Sequence, residues 1–216
     1  MPRKQLIRCE NSPYHVTARS NNCEWFTLPM PLMWALAKKC LREAHDLHPI
    51  QLVSFVLMGN HYHMILFTPK GNIDLFMYEF NKRLALEIRQ HSGNINRIFG
   101  GRYKWCLIRS HHYFSNCYRY VYQNPLRAGI TQSCEDYPYS TLYYVTRNKV
   151  FSIPVHDQFG FKDGYALQWL NQRIDVDEQE KLKKMLYRSV VPVVPADLHA
   201  AKSAGYIPTA SATFLL

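Results

Sequence analysis

The chain has 216 residues, 47% of them hydrophobic and 14% aromatic, a composition that excludes intrinsic disorder and suits one packed domain with an appendage. Its net charge of +10 is uneven: residues 1–130 hold 17 Lys and Arg against 7 Asp and Glu, whereas residues 131–216 hold 9 against 9. A surplus confined to the first 130 residues favours a polyanionic partner, most simply nucleic acid, although a merely soluble basic surface has the same isoelectric point.

In chain order, Pro13–Arg19 reads as a first strand, and Leu32, Leu36 and Cys40 recur at helical spacing in a helix from about Met30 to Ala44. The apolar runs Gln51–Leu57 and His61–Phe67 flank Met58-Gly59-Asn60, a turn composition that predicts a hairpin. A second helix is expected from about Ile73 to Gln90, with Leu75, Phe76, Phe80, Leu84 and Ile88 on its apolar face, and Tyr103–Ile108 reads as a fourth strand. The resulting β-α-β-β-α-β order predicts an α+β, ferredoxin-like antiparallel sheet in which strands one and three are neighbours. A third helix spans about His112 to Asn124, where Pro125 is expected to stop it.

Past Tyr137 the pattern weakens into an aromatic stretch, a loop from Phe159 to Gly164 and a charged helix from about Val176 to Arg188; nothing regular is expected from Val190 to Leu216, which is rich in Pro, Ala and Ser. The chain therefore divides into residues 1–145 and an extension, 146–216, helical in part. Cys9, Cys23, Cys40, Cys106, Cys117 and Cys134 form no Cys-x-x-Cys pair, so reduced, mostly buried thiols are expected. No run approaches the ~20 apolar residues of a membrane helix, and a cytoplasmic protein is expected.

The chemistry concentrates at His61-Tyr62-His63. Two imidazoles at i and i+2 of a strand project from one face and could hold one metal ion; a surface or hydrogen-bonded pair is the bland alternative. A divalent ion needs a further ligand, and an Asn carbonyl can supply it. Asn124 qualifies if the third helix crosses that face, and Tyr120, four residues earlier and on the same side of the helix, would then approach the metal. A phenol beside a metal-bound phosphate is a nucleophile for phosphodiester transesterification. Tyr113, Tyr118 and Tyr122 share the helix, but only Tyr120 has an Asn or Gln four residues later.

Met58-Gly59-Asn60-His61-Tyr62-His63-Met64-Ile65-Leu66 resembles the HUH motif of the single-strand tyrosine transposases, which is usually entered through a Met-Pro-Asn turn; here Gly59 replaces the Pro. Arg119-Tyr120-Val121-Tyr122-Gln123-Asn124-Pro125-Leu126-Arg127-Ala128-Gly129 resembles the tyrosine helix of the REP-associated branch of that family, and Tyr14–Arg19 is similar to its first strand. The resemblance covers about residues 11–145. It implies a transposase of the HUH endonuclease superfamily that cuts and rejoins single-stranded DNA beside hairpins (REP-like palindromes) through a 5′-phosphotyrosine link on Tyr120. It further implies Mg²⁺ or Mn²⁺ held by His61, His63 and Asn124, and a monomer whose tyrosine helix acts in cis, with a swapped dimer as the other arrangement known in the family. A domesticated hairpin DNA or RNA binding module that does not cut is the alternative. Arg19, Lys82, Arg83, Arg89, Arg102, Lys104, Arg119 and Arg127 are candidate DNA contacts; Arg127 could equally cap its helix, and His15 and Arg19 lie on the strand face of the proposed site. Tyr103, Trp105 and Tyr122 are candidates for stacking on unpaired bases.

Overall fold

The computed structural model describes residues 5–160 and 164–191. Strand β1 (Tyr14–Arg19), helix α1 (Met30–Leu47), the hairpin β2 (Gln51–Leu57) and β3 (His61–Phe67), helix α2 (Ile73–Ser92) and strand β4 (Lys104–Ile108) follow one another as the sequence reading expects. They are followed by α3 (His111–Tyr122), α4 (Asn124–Arg127), α5 (Thr141–Val145), α6 (Tyr165–Asn171), α7 (Val176–Leu186) and β5 (Val190–Val191). The five strands form one sheet in the order β2-β3-β1-β4-β5. β1 lies antiparallel between β3 and β4, so strands one and three are neighbours, while β5 adds to β4 in parallel.

Alternation along the strands divides the apolar side chains between two layers. Val16, Tyr62, Met64 and Leu66 face α1 and α2, where Leu36, Cys40, Phe76, Phe80 and Leu84 complete one core. Ile65, Phe67, Cys106 and Ile108 face the other way, against Cys117, Tyr118 and Val121 of α3 and Leu170, Leu182 and Leu186 of α6 and α7. His61 and His63 fall in the second set by parity, and the register pairs His63 with Thr17 and His61 with Arg19.

Several sequence expectations are corrected. Leu75 is half exposed, because the buried stripe of α2 runs through Phe76, Phe80, Leu84 and Ile88, and a residue one position earlier is rotated about 100° from it. Pro125 does not stop the helical course: α3 ends at Tyr122, and Pro125 occupies the first turn of α4, where its missing N–H costs no hydrogen bond. The weakly patterned extension holds α6 and β5, with Leu107 N and Arg109 N donating to Ser189 O and Val191 O at 2.9 and 3.0 Å. Val190 and Val191 are thus ordered strand, whereas residues 192–216 and 161–163 lie outside the described residues. The six cysteines are free; four are buried, Cys9 is half-buried and Cys23 is exposed. No helix of the described residues is long and apolar enough to cross a membrane.

Candidate active site

The histidines are set by the turn that precedes them. Met58 N donates to His61 O at 2.7 Å and closes the hairpin. Asn60 is held by its own amide, which donates to Cys23 O at 2.8 Å, and its Oδ1 lies 2.6 Å from His61 Nδ1. An amide oxygen only accepts, so His61 donates through Nδ1 and keeps its Nε2 lone pair. His63 Nδ1 lies 2.9 Å from His15 Nε2. When His63 is the donor, its Nε2 is also free to bind a metal, with His15 as the outer group that orients it. Burial pushes the protonation of His61 down to about 4, helped by Arg19 and Arg127, and that of His15 down to about 3. Burial also holds His63 well below the usual range, followed by the influence of His15 and His61. The imidazoles are therefore neutral at pH 7, the form that coordinates metals.

Helix α3 starts where Ser110 accepts from Tyr113 N, and it crosses the sheet on the histidine side. Tyr120 reaches the pair, its ring centroid 5.7 Å from that of His63 and 6.4 Å from that of His15, at nearly right angles to both. The rival tyrosines are held elsewhere: Tyr118 is buried and donates to Asp157 Oδ1 at 2.8 Å, and Tyr122 is buried 2.8 Å from Thr141 Oγ1. Tyr113 lies near the start of the helix. Asn124, at the start of α4, donates through Nδ2 to the backbone O of Tyr120 at 2.9 Å. Asn124 Oδ1, the candidate metal donor, accepts from Arg127 Nη2 at 2.9 Å. Arg127 also stands over the Tyr120 ring, 4.2 Å from its centroid. Burial raises the Tyr120 phenol and this guanidinium opposes the rise.

Around these groups lies a cleft of about 680 Å³ lined by Arg19, Arg102, Lys104, Arg127 and Lys183, with no carboxylate on its walls among the described residues. Four of the eight candidate DNA contacts, Arg19, Arg102, Lys104 and Arg127, therefore converge here. Lys82, Arg83 and Arg89 belong to α2, in the layer beyond the sheet, where Arg83 pairs with Glu43 and Glu79. Arg119 turns toward α6, its Nη2 on Gln172 O and its guanidinium over Trp169. The stacking candidates are core residues: Tyr103, Trp105 and Tyr122 are all buried, and their faces are taken up by packing. The sequence reading missed Lys183 and Tyr187, which reach the cleft from α7 and the turn after it; they lie in a solvated charged helix whose spacing carries no sign of the cleft.

A divalent ion fits part of this donor set. Two neutral imidazoles project from one strand face, His61 with its Nε2 lone pair open and His63 likewise when it donates to His15, but among the described residues no three His, Cys, Asp or Glu groups are placed to hold a metal. A third protein donor would then be an uncharged oxygen, and Asn124, which lines the same cleft as the two histidines, can supply one.

No protein-family model matches the chain. A Haemophilus influenzae protein assigned as a REP-associated tyrosine transposase is 22% identical over 125 residues, 53% of this chain and 71% of that one. The solved structure of a REP-associated tyrosine transposase bound to a REP hairpin superposes with a TM-score of 0.58 at 18% identity, covering 75% of this chain and 96% of that one. In sequence and in its α+β fold, the chain resembles the REP-associated tyrosine transposases.

Proposed function

We propose that the chain is a REP-associated tyrosine transposase, a metal-dependent endonuclease and strand transferase that acts on single-stranded DNA beside a hairpin. The observation that carries this reading is the position of Tyr120 against His63, within one chain, in a cleft lined among the described residues by five cations and no carboxylate. The cationic walls draw in the phosphate backbone. Tyr120 Oη attacks the scissile phosphorus; the Oη–P bond forms, the P–O3′ bond breaks, and the proton lost by the phenol balances the one taken up by the departing O3′. Reversal by another 3′-OH rejoins the strands without ATP, since the phosphotyrosine keeps the bond energy. His61 and His63 would hold Mg²⁺ or Mn²⁺, with Asn124 completing the set through the oxygen that Arg127 now engages. The ion would neutralise the phosphate and stabilise charge developing in the transition state. Arg127 offsets the burial of Tyr120 and favours the phenolate that attacks.

The test is cleavage of end-labelled hairpin DNA with single-stranded flanks, with Mn²⁺ or Mg²⁺ and after chelation. The native chain should cut only with metal, and Tyr120→Phe and His63→Ala should each lower the rate by at least about 10³-fold. Undiminished cleavage by Tyr120→Phe would sink the reading, and tight hairpin binding without cleavage under either ion would favour the non-catalytic binding module.

A further inference from the structure

Trp25 is 74% exposed, although tryptophan is the side chain with most to gain from cover. It is nevertheless firmly placed. The segment from Ser20 to Phe26 is tied to the turn that carries His61: Ser20 N donates to Asn60 O at 2.8 Å and Phe26 N to Gly59 O at 2.7 Å, while Asn60 Nδ2 donates to Cys23 O. The benzo ring of Trp25 then rests on Gly59, where an added Cβ would come within 2.8 Å of Trp25 Cε3. Gly59 has no left-handed backbone, so this close approach, rather than turn geometry, is what a larger residue would disturb.

Trp25 forms one wall of a pocket of about 210 Å³, whose other walls include Asn21, Asn22, Glu24, Asn94 and Asn96. Asn21 and Asn22 also line the active-site cleft, so the two cavities share a wall. Asn22 holds a left-handed backbone, φ 52°, and so does Cys23, φ 60°, a conformation sustained by the hydrogen bonds to the His61 turn. The side chains of Asn21, Asn22 and Asn96 make no hydrogen bond among the described residues, and a carboxamide presents a donor beside an acceptor, the pattern that pairs with a base edge. Glu24 and Arg97, one charge of each sign, also line the pocket; the carboxylate can accept from an exocyclic amine and the guanidinium can donate to a base carbonyl or ring nitrogen. With the two charges balanced and amides between them, the walls suit a flat, hydrogen-bonding occupant without net charge, next to a strand whose backbone lies in the cationic cleft.

We propose that this pocket takes one unpaired nucleobase adjacent to the scissile phosphate, stacked on Trp25 and read at its edge by Asn21 and Asn96. This assignment rests on the reading of the cleft as a single-stranded DNA site. Base–aromatic stacking tolerates any base, and the amides supply preference. Gly59 then has a role in substrate recognition, because it clears the seat of the indole.

The test uses the Tyr120→Phe chain, so that binding is measured without cutting, and fluorescein-labelled DNA hairpins that are blunt or carry flanks of dA, dC, dG or dT. Anisotropy should show that at least one flank tightens binding about tenfold over the blunt hairpin, and that Trp25→Ala removes this increment while Trp25→Phe keeps most of it. Asn21→Ala with Asn96→Ala should level the four flanks. Trp25→Leu, which keeps apolar bulk without a ring, should behave as Trp25→Ala does and replaces it if the smaller side chain unsettles the turn. Flank binding within twofold of the parent in both Trp25→Ala and Trp25→Leu would overturn the base pocket alone. A parent that binds no hairpin under any condition would overturn the DNA reading of the cleft and this assignment with it.

Discussion

A histidine can bind a metal only through a lone pair, and each imidazole of this site has its protonation suppressed by burial. The same burial has a consequence for stability. Above the ordinary histidine range near 6.5, His15, His61 and His63 are neutral both folded and unfolded, and their contribution to stability is fully present. As pH falls below that range, the unfolded chain takes up protons that the folded chain refuses until about 4 at His61 and about 3 at His15, so stability declines across this window. Thermal unfolding followed from pH 7.5 to 4.5 should show the midpoint falling, with a shallower slope in His15→Gln; an equal slope would contradict the account. At this scale the site was partly legible. His61, His63, Tyr120 and Asn124 announce themselves through spacing, and the structure brings His63 and Tyr120 into ring contact. Tyr103 and Trp105 could not be assigned from sequence, because an aromatic residue on a strand has the same local pattern whether it faces core or solvent, and burial decides it.

Among the elements, α3 depends on what lies after it. Gln123, buried at the end of α3, donates through Nε2 to Leu170 O and Gln172 O, both at 2.7 Å, and Arg119 adds a bond to Gln172 O. Leu170 is fully buried in the core that also holds Cys117 and Val121. Leu170→Ala should therefore cost about 2–4 kcal/mol in denaturant unfolding and do so in the one cooperative transition of the whole domain. A loss under about 1 kcal/mol, or a separate early transition for the extension, would show that α6 is only tethered. The hairpin and α2 were legible because periodicity is local, and their bounds agree with the structure to within a few residues. β5 was not: it has two residues, and its existence depends on the unpaired edge of β4, which is set by a strand more than eighty residues away.

For the whole molecule, the charge asymmetry of the sequence becomes a place. Four cations of the first 130 residues, Arg19, Arg102, Lys104 and Arg127, line one cleft, and Lys183 joins them from the half of the chain that is neutral overall. Because Tyr120 of α3 meets His63 of its own chain, the proposed site can be built within one subunit; light scattering should give the monomer mass of 25.4 kDa, and a stable dimer would point to an exchanged helix. Everything proposed for the cleft rests on Tyr120 forming a bond to DNA. The most direct measurement is mass spectrometry of proteolysed protein after incubation with hairpin DNA and Mn²⁺: the account expects the peptide carrying Tyr120 to bear a nucleotide through its 5′ phosphate, leaving a free 3′-OH on the released strand. A nucleotide found on Tyr113, Tyr118 or Tyr122 instead, or cleaved DNA with no protein-linked phosphate, would contradict it.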